Sequence, residues 1–101
     1  MKAYTDIEQS KKLAEILSNE TSDMYYWCGE SIRFGGCKAQ DKDYDIPCWS
    51  LAALLSLIPR PDLHQTKGGQ WCCIAEPNSM VFSRHFDNPV DACVDMIYIL
   101  K

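Results

Sequence analysis

The residue types that could do chemistry in this chain are thiols and imidazoles: Cys28, Cys37, Cys48, Cys72, Cys73 and Cys93, with His64 and His85. Together they could hold zinc or pair a thiol nucleophile with an imidazole base. Structural zinc is usually nucleated by a Cys-x2-Cys or Cys-x4-Cys pair, and the chain has neither, so no metal or other cofactor is expected. No Ser or Cys stands in a nucleophile elbow of the Gly-x-Ser-x-Gly kind. The remaining arrangement is Cys72 beside His64 or His85 across a strand meander. It competes with the usual role of a strand cysteine as an inert, buried small hydrophobe. Cys48, Cys73 and Cys93 stand in apolar surroundings and are expected in the core, whereas Cys28 and Cys37, near Gly29 and Gly35-Gly36, are expected at the surface.

Carboxylates offer two further patterns. Asp41, Asp43 and Asp45 alternate as calcium ligands do, but an EF-hand counted from Asp41 needs Gly at its sixth position and Glu at its twelfth, where the chain has Ile46 and Ala52. Asp91 and Asp95 fall one helical turn apart, where both should face water; lacking an apolar pocket to separate their pKa values, they are not expected to do acid-base work. Lys67-Gly68-Gly69 is too short for a phosphate loop and opens no helix. No catalytic residue is expected, and the chain is expected to be non-enzymatic.

The 101 residues fit one domain, 1–101, and 47% hydrophobic residues can build one modest core. A formal charge of -4, from 14 acidic and 10 basic residues scattered along the chain, leaves no basic stripe for duplex nucleic acid. The longest apolar run, Leu51 to Ile58, is far short of the roughly 20 residues that cross a bilayer. The stretch MKAYTDIEQSKK has no apolar h-region, so a cytosolic protein with free thiols is expected rather than a disulfide framework.

These residues must be positioned by a short series of elements. Thr5 with Glu8 reads as a capping box for a helix from Asp6 to Leu17, with Ile7, Leu13, Ala14, Ile16 and Leu17 as its apolar stripe. Met24 to Cys28 reads as an aromatic strand and Ser31 to Phe34 as its return. Gly35 to Asp45 reads as a loop. A second helix is expected from Pro47 to Ile58, its apolar residues covering most of its circumference, so that it is the central, most buried helix. Leu63 to Thr66, Gln70 to Ala75 and Met80 to Phe86 predict a three-stranded meander, turning at Lys67-Gly68-Gly69 and at Glu76-Pro77-Asn78-Ser79. In the last strand, Met80, Phe82 and Phe86 should share one face, with Val81, Ser83 and His85 on the other. A third helix should start at Asn88 with Pro89 in its first turn and bury Val90, Cys93, Val94, Ile97 and Leu100. The expected fold is α+β, with three helices packed on an antiparallel sheet of three to five strands, in the order α-β(β)-α-β-β-β-α.

The stretches YTDIEQSKKLAEIL, Met24-Tyr25-Tyr26-Trp27, DIPCWSLAALLSLIP and DNPVDACVDMI resemble a family of small uncharacterised proteins carried by phages and mobile elements of gut anaerobes. Trp49-Ser50-Leu51, the hairpin at Trp71 and Asn88-Pro89-Val90-Asp91-Ala92 are more loosely similar to phage proteins described as an α-β-α sandwich. Neither family brings catalytic positions. What the resemblance implies is a small accessory protein acting in the host cytosol by binding a host protein or sequestering a small signalling ligand, as an antagonist of host defence. Binding is expected on the meander and on the loop from Gly29 to Asp45, with His64, Trp71, Arg84 and His85 as candidates. A homo-oligomer enclosing a shared cavity would suit the small-ligand form. The alternative is a small enzyme, or a redox or metal protein, using a Cys/His site in the meander.

Overall fold

A computed structural model describes residues 2–28, 30–35, 45–75 and 81–101. The architecture is α+β: the described residues form three α-helices and two antiparallel sheets of three strands each. The first sheet has the order β2-β1-β3, with β1 at Met24–Trp27, β2 at Ser31–Phe34 and β3 at Ile46–Cys48. The second has the order β4-β5-β6, with β4 at Pro61–Gln65, β5 at Trp71–Ala75 and β6 at Val81–Phe82. Helix α1 spans Ile7–Leu13, α2 Leu51–Ser56 and α3 Pro89–Leu100, and a single 3-10 turn covers Asn19–Thr21.

The first helix is capped one residue later than its sequence suggests. Asp6 accepts from the Gln9 N–H at 2.8 Å while Gln9 Oε1 accepts from the Asp6 N–H at 3.1 Å, so Asp6 and Gln9 form the capping box. Thr5 is fully buried instead, and its hydroxyl is used elsewhere. Regular helix ends at Leu13; Leu17 returns to the core, while Ile16 is exposed.

Pro47 does not open α2. It lies in the middle of β3, opposite Tyr25. The Asp23 carbonyl accepts from the Gly35 N–H at 2.8 Å, so Asp23, Tyr25 and Trp27 direct their backbone groups towards β2. Tyr25 therefore faces away from β3, and the missing N–H of Pro47 leaves no ladder bond unmade. The cap of α2 is Ser50, whose hydroxyl accepts from the Ala53 N–H at 3.2 Å. Only Leu54 of this helix is buried. Ala52 is exposed, and the central helix is α3, which buries Pro89, Val90, Ala92, Cys93, Val94, Met96 and Ile97. Leu100, expected in that stripe, is exposed. The Asn88 cap and the Pro89 first turn are as the sequence suggests, with Asn88 Oδ1 accepting from the Asp91 N–H at 2.9 Å.

Arg60, caught between Pro59 and Pro61, takes φ 46° rather than the extended geometry expected before proline. The meander turn places Gly69 at φ 84°, a conformation glycine takes without strain. The last strand is shorter than expected. After Ser83, whose N–H still donates to the Cys73 carbonyl at 2.8 Å, the backbone leaves β5 and returns at Phe86, which exchanges hydrogen bonds with Trp71 at 2.6 and 2.9 Å. Ser83 is buried, Val81 packs against the core and Phe82 is 51% exposed, so Phe82 does not face the core with Phe86. Met80 lies outside the described residues.

The larger core cluster joins Leu13, Leu17, Trp49, Leu54, Ile58, Cys73 and Ala75 to the buried face of α3. A smaller one holds Met24, Tyr26, Ile46 and Cys48 under Ile7 and Ile32. Residues 3–5 run antiparallel to 49–51 between the two, with Leu51 N–H donating to the Ala3 carbonyl at 3.1 Å and Thr5 N–H to the Trp49 carbonyl at 3.0 Å.

Candidate functional site

The four residues marked by sequence do not converge. His64 and His85 are exposed, on β4 and in the stretch after β6. Trp71, expected on the outer face of the meander, is half-buried and packs against the larger core. Arg84 borders a cleft of about 220 Å³ lined by Gln9, Phe86, Asp91, Val94, Asp95 and Tyr98. Its guanidinium is already engaged: it lies 3.0 Å from Asp95 Oδ1 and 5.7 Å from the centre of the Phe86 ring, and the Arg84 N–H donates to Asp95 Oδ2 at 3.0 Å.

Asp91 and Asp95 do not stand free in water as their helical spacing suggested. Asp91 accepts from Lys2 at 2.8 Å, from Gln9 at 2.7 Å and from Asn88 at 2.8 Å. Burial pushes its carboxyl up, but these hydrogen bonds outweigh that and hold it below the usual carboxylate range. Lys2 also reaches Asp6 at 3.0 Å; burial lowers its pKa, and the two carboxylates raise it by more. One network thus joins residue 2, the start of α1 and the start of α3. Its carboxylates are hydrogen-bond acceptors that hold elements together, and a general base would need one of them unengaged.

The thiols are equally committed. Cys72 lies opposite His64 in the β4–β5 register, but it is buried and donates to the Ser83 carbonyl at 3.3 Å. Cys48 is buried beside Thr5, and burial pushes its thiol pKa up, away from the reactive form. Cys73 and Cys93 are fully buried, as expected; Cys28 is exposed, and Cys37 lies outside the described residues. Of the alternating aspartates only Asp45 is described, and its carboxylate accepts from the Cys28 N–H at 3.2 Å. Among the described residues no three His, Cys, Asp or Glu side chains gather as a metal site would require.

The most open chemistry is on the β1–β2 hairpin. Alternation along β1 sends Met24 and Tyr26 inward and leaves Tyr25 and Trp27 on the other face. The register places Arg33 opposite Tyr25, on that same outer face. There the Arg33 guanidinium lies 5.1 Å from the centre of the Trp27 ring, while Trp27 stays 49% exposed. Phe34, at the end of the edge strand, is 86% exposed. Sequence reading recognised this hairpin as strands; its binding segment from Gly29 to Asp45 took in Arg33 and Phe34 of β2 but left out Trp27. The available signal was the alternation of Met24-Tyr25-Tyr26-Trp27, which turns the aromatic pair Tyr25 and Trp27 outward when Met24 and Tyr26 turn inward. The chain matches no family model, no curated protein and no solved structure.

Proposed function

We propose that the chain is a non-enzymatic binding protein of phage or mobile-element type, acting in the host cytosol by engaging a host protein, with a component of host defence as the target class. The observation that carries the binding reading is the exposed Arg33–Trp27 stack. Trp and Arg, with Tyr, are enriched at the energetic centres of protein interfaces, and the guanidinium stacked on Trp27 keeps donors that a partner's acceptors can use. Among the described residues, the size of three surface hollows favours a protein partner over a small ligand. The hollow beside Arg84, one by Lys11, Ala14, Glu15, Ile46 and Pro47, and one by Lys2, Tyr4 and Tyr26 measure about 220, 180 and 260 Å³. Pockets that bury a small ligand usually run from about 300 Å³ upward. The phage setting and the anti-defence role rest on the resemblance of the sequence motifs.

The test is recovery of a partner from the native host by the tagged chain, followed by reconstitution with the purified partner. Binding should be saturable, lost in Trp27→Ala and in Arg33→Ala, and retained in Arg84→Ala. Binding that survives both hairpin substitutions and fails in Arg84→Ala would move the site to the cleft and favour a small signalling ligand.

A further inference from the structure

Backbone direction along the first hairpin leaves one strand edge open. Asp23, Tyr25 and Trp27 point their backbone groups at β2, so Gly35, Arg33 and Ser31 point theirs back at β1, and Ile32 and Phe34 point theirs away from the sheet. In the order β2-β1-β3 that side of β2 is an edge, and among the described residues nothing bonds to the backbone of Ile32 or Phe34 across it. The two faces of the edge differ in chemistry. Ile32 and Phe34 stand opposite Tyr26 and Met24, on the side that the smaller core buries; Ile32 packs against that cluster, while Phe34 is 86% exposed. Helix α1 packs against β3, at the far side of this sheet, so Phe34 carries the apolar face beyond its cover. Arg33 is exposed on the other face, stacked on Trp27, and among the described residues no carboxylate pairs with it.

We infer that β2 is a docking edge for an extended segment of the partner protein, which adds as an antiparallel strand with apolar and acidic residues in alternation; this rests on the hairpin being the binding surface and names the form its partner takes. The apolar residues fall opposite Ile32 and Phe34, exchange backbone hydrogen bonds with them and extend the face that Phe34 begins. The acidic residue between them falls opposite Arg33 in a non-hydrogen-bonded pair, where facing side chains come closest. Its carboxylate accepts from the guanidinium held on Trp27. A second copy of this chain fits the edge less well. The register that pairs most of β2 with itself matches Ile32 with Phe34 and sets the two copies of Arg33 face to face, a like-charge pair that opposes association. An acidic strand removes that conflict, and its carboxylate supplies the partner that Arg33 lacks among the described residues.

The probe is a short synthetic peptide of alternating valine and glutamate, blocked at both ends and N-methylated at its glutamate amides, so that only the edge formed by its valine amides can pair. Added to the isotope-labelled full chain, it should bind saturably and slow amide exchange at Ile32 and Phe34 by about tenfold or more, while Arg33, whose backbone faces Tyr25, stays unchanged. Moving the methyl groups to the valine amides, or replacing glutamate with lysine, should abolish binding; these arms test the same bonds without altering the chain. Phe34→Pro removes an outward donor and spares the ladder to β1, so it should weaken binding about tenfold relative to Phe34→Thr, which keeps the N–H. No binding, equal binding of the lysine peptide, or protection that misses Ile32 and Phe34 would each overturn the inference. Protection of both amides in the peptide-free chain as its concentration rises would also overturn it, by giving the edge to a second copy. With the purified host partner, binding lost in Trp27→Ala and Arg33→Ala but kept in Phe34→Pro would sink strand addition and leave the hairpin as the binding surface, whereas binding indifferent to all three substitutions would sink both.

Discussion

The two buried clusters are held together by different physics. Around α3 the interior is apolar: Leu13, Trp49, Leu54, Val90, Met96 and Ile97 fill space against Cys73 and Ala75, and the stability they give scales with area removed from water. Under the first sheet the cluster is small, and its edge is polar. Thr5 Oγ1 lies 2.7 Å from Ser10 Oγ and accepts from the Trp49 N–H at 3.2 Å, while Tyr26 donates to the Thr5 carbonyl at 2.7 Å. Asp23 binds the Ser50 N–H at 2.9 Å and the Ser50 hydroxyl, fastening the start of β1 to the cap of α2. Among the described residues no buried side-chain nitrogen or oxygen is left without a partner. An apolar core tolerates local repacking, whereas a polar node of this kind depends on each of its partners.

The largest effect is expected in the apolar half. Leu54→Ala should destabilise the chain by about 2 to 5 kcal/mol, read as a lower denaturant midpoint. An unchanged midpoint would remove α2 from the core. In the polar half, Thr5→Val keeps the shape but strands the Trp49 N–H and the Ser10 hydroxyl, and should lose about 1 to 3 kcal/mol by the same measurement. If Thr5→Val proves neutral while Thr5→Ser is costly, the methyl group and not the hydroxyl is what matters there.

A smaller effect is expected from the latch at Asp91. The Asp91→Asn change should remove about 1 kcal/mol near pH 7, because the ion pair with Lys2 is partly exposed. The folded carboxyl lies below its ordinary value, so its contribution is complete above the unfolded pKa of about 4 and disappears as pH falls through the lowered folded value. Wild-type stability should therefore drop more steeply than that of Asp91→Asn between about pH 5 and the acid limit. Parallel pH profiles would detach Asp91 from acid sensitivity. Smallest of all, Trp27→Ala should change stability by no more than about 0.5 kcal/mol, since its ring touches the outside of the sheet, and a larger loss would make it part of the fold rather than a contact surface.

How much of this was legible from the residues depends on the range of the forces involved. Helix α3 announces itself locally, through Asn88, Pro89 and the spacing of Val90, Cys93, Val94 and Ile97, and β1 and β2 do so through alternation. Pro47 misleads because one proline suits both a first helical turn and a strand position whose N–H faces outward. Only the pairing of Tyr25 with Arg33 decides between them. Thr5 misleads for a similar reason: it has the right spacing from Glu8, but Trp49 and Ser10 compete for its hydroxyl from elsewhere in the fold. The candidates His64, Trp71, Arg84 and His85 share a stretch of sequence, yet strand alternation turns Trp71 towards the core, and the break in the ladder after Ser83 takes Arg84 and His85 out of the sheet. Arg84 is then taken up by Asp95, which lies on α3 rather than in the meander.

The tie between Lys2 and Asp91 spans 89 positions of the chain, and residues 3–5 find their strand partner only at 49–51. A ribosome delivers these segments in order, so the opening residues leave the exit tunnel long before anything exists for them to hold. Until the later segments emerge, Thr5 and Tyr26 must wait with their polar groups in water, and the first sheet cannot acquire its final edge. Such wide separation between partners slows folding, because chain entropy is lost before the distant contact repays it. A newly made chain should therefore stay open to chaperones and proteases until α3 can pack, and resistance to digestion should arrive late and all at once.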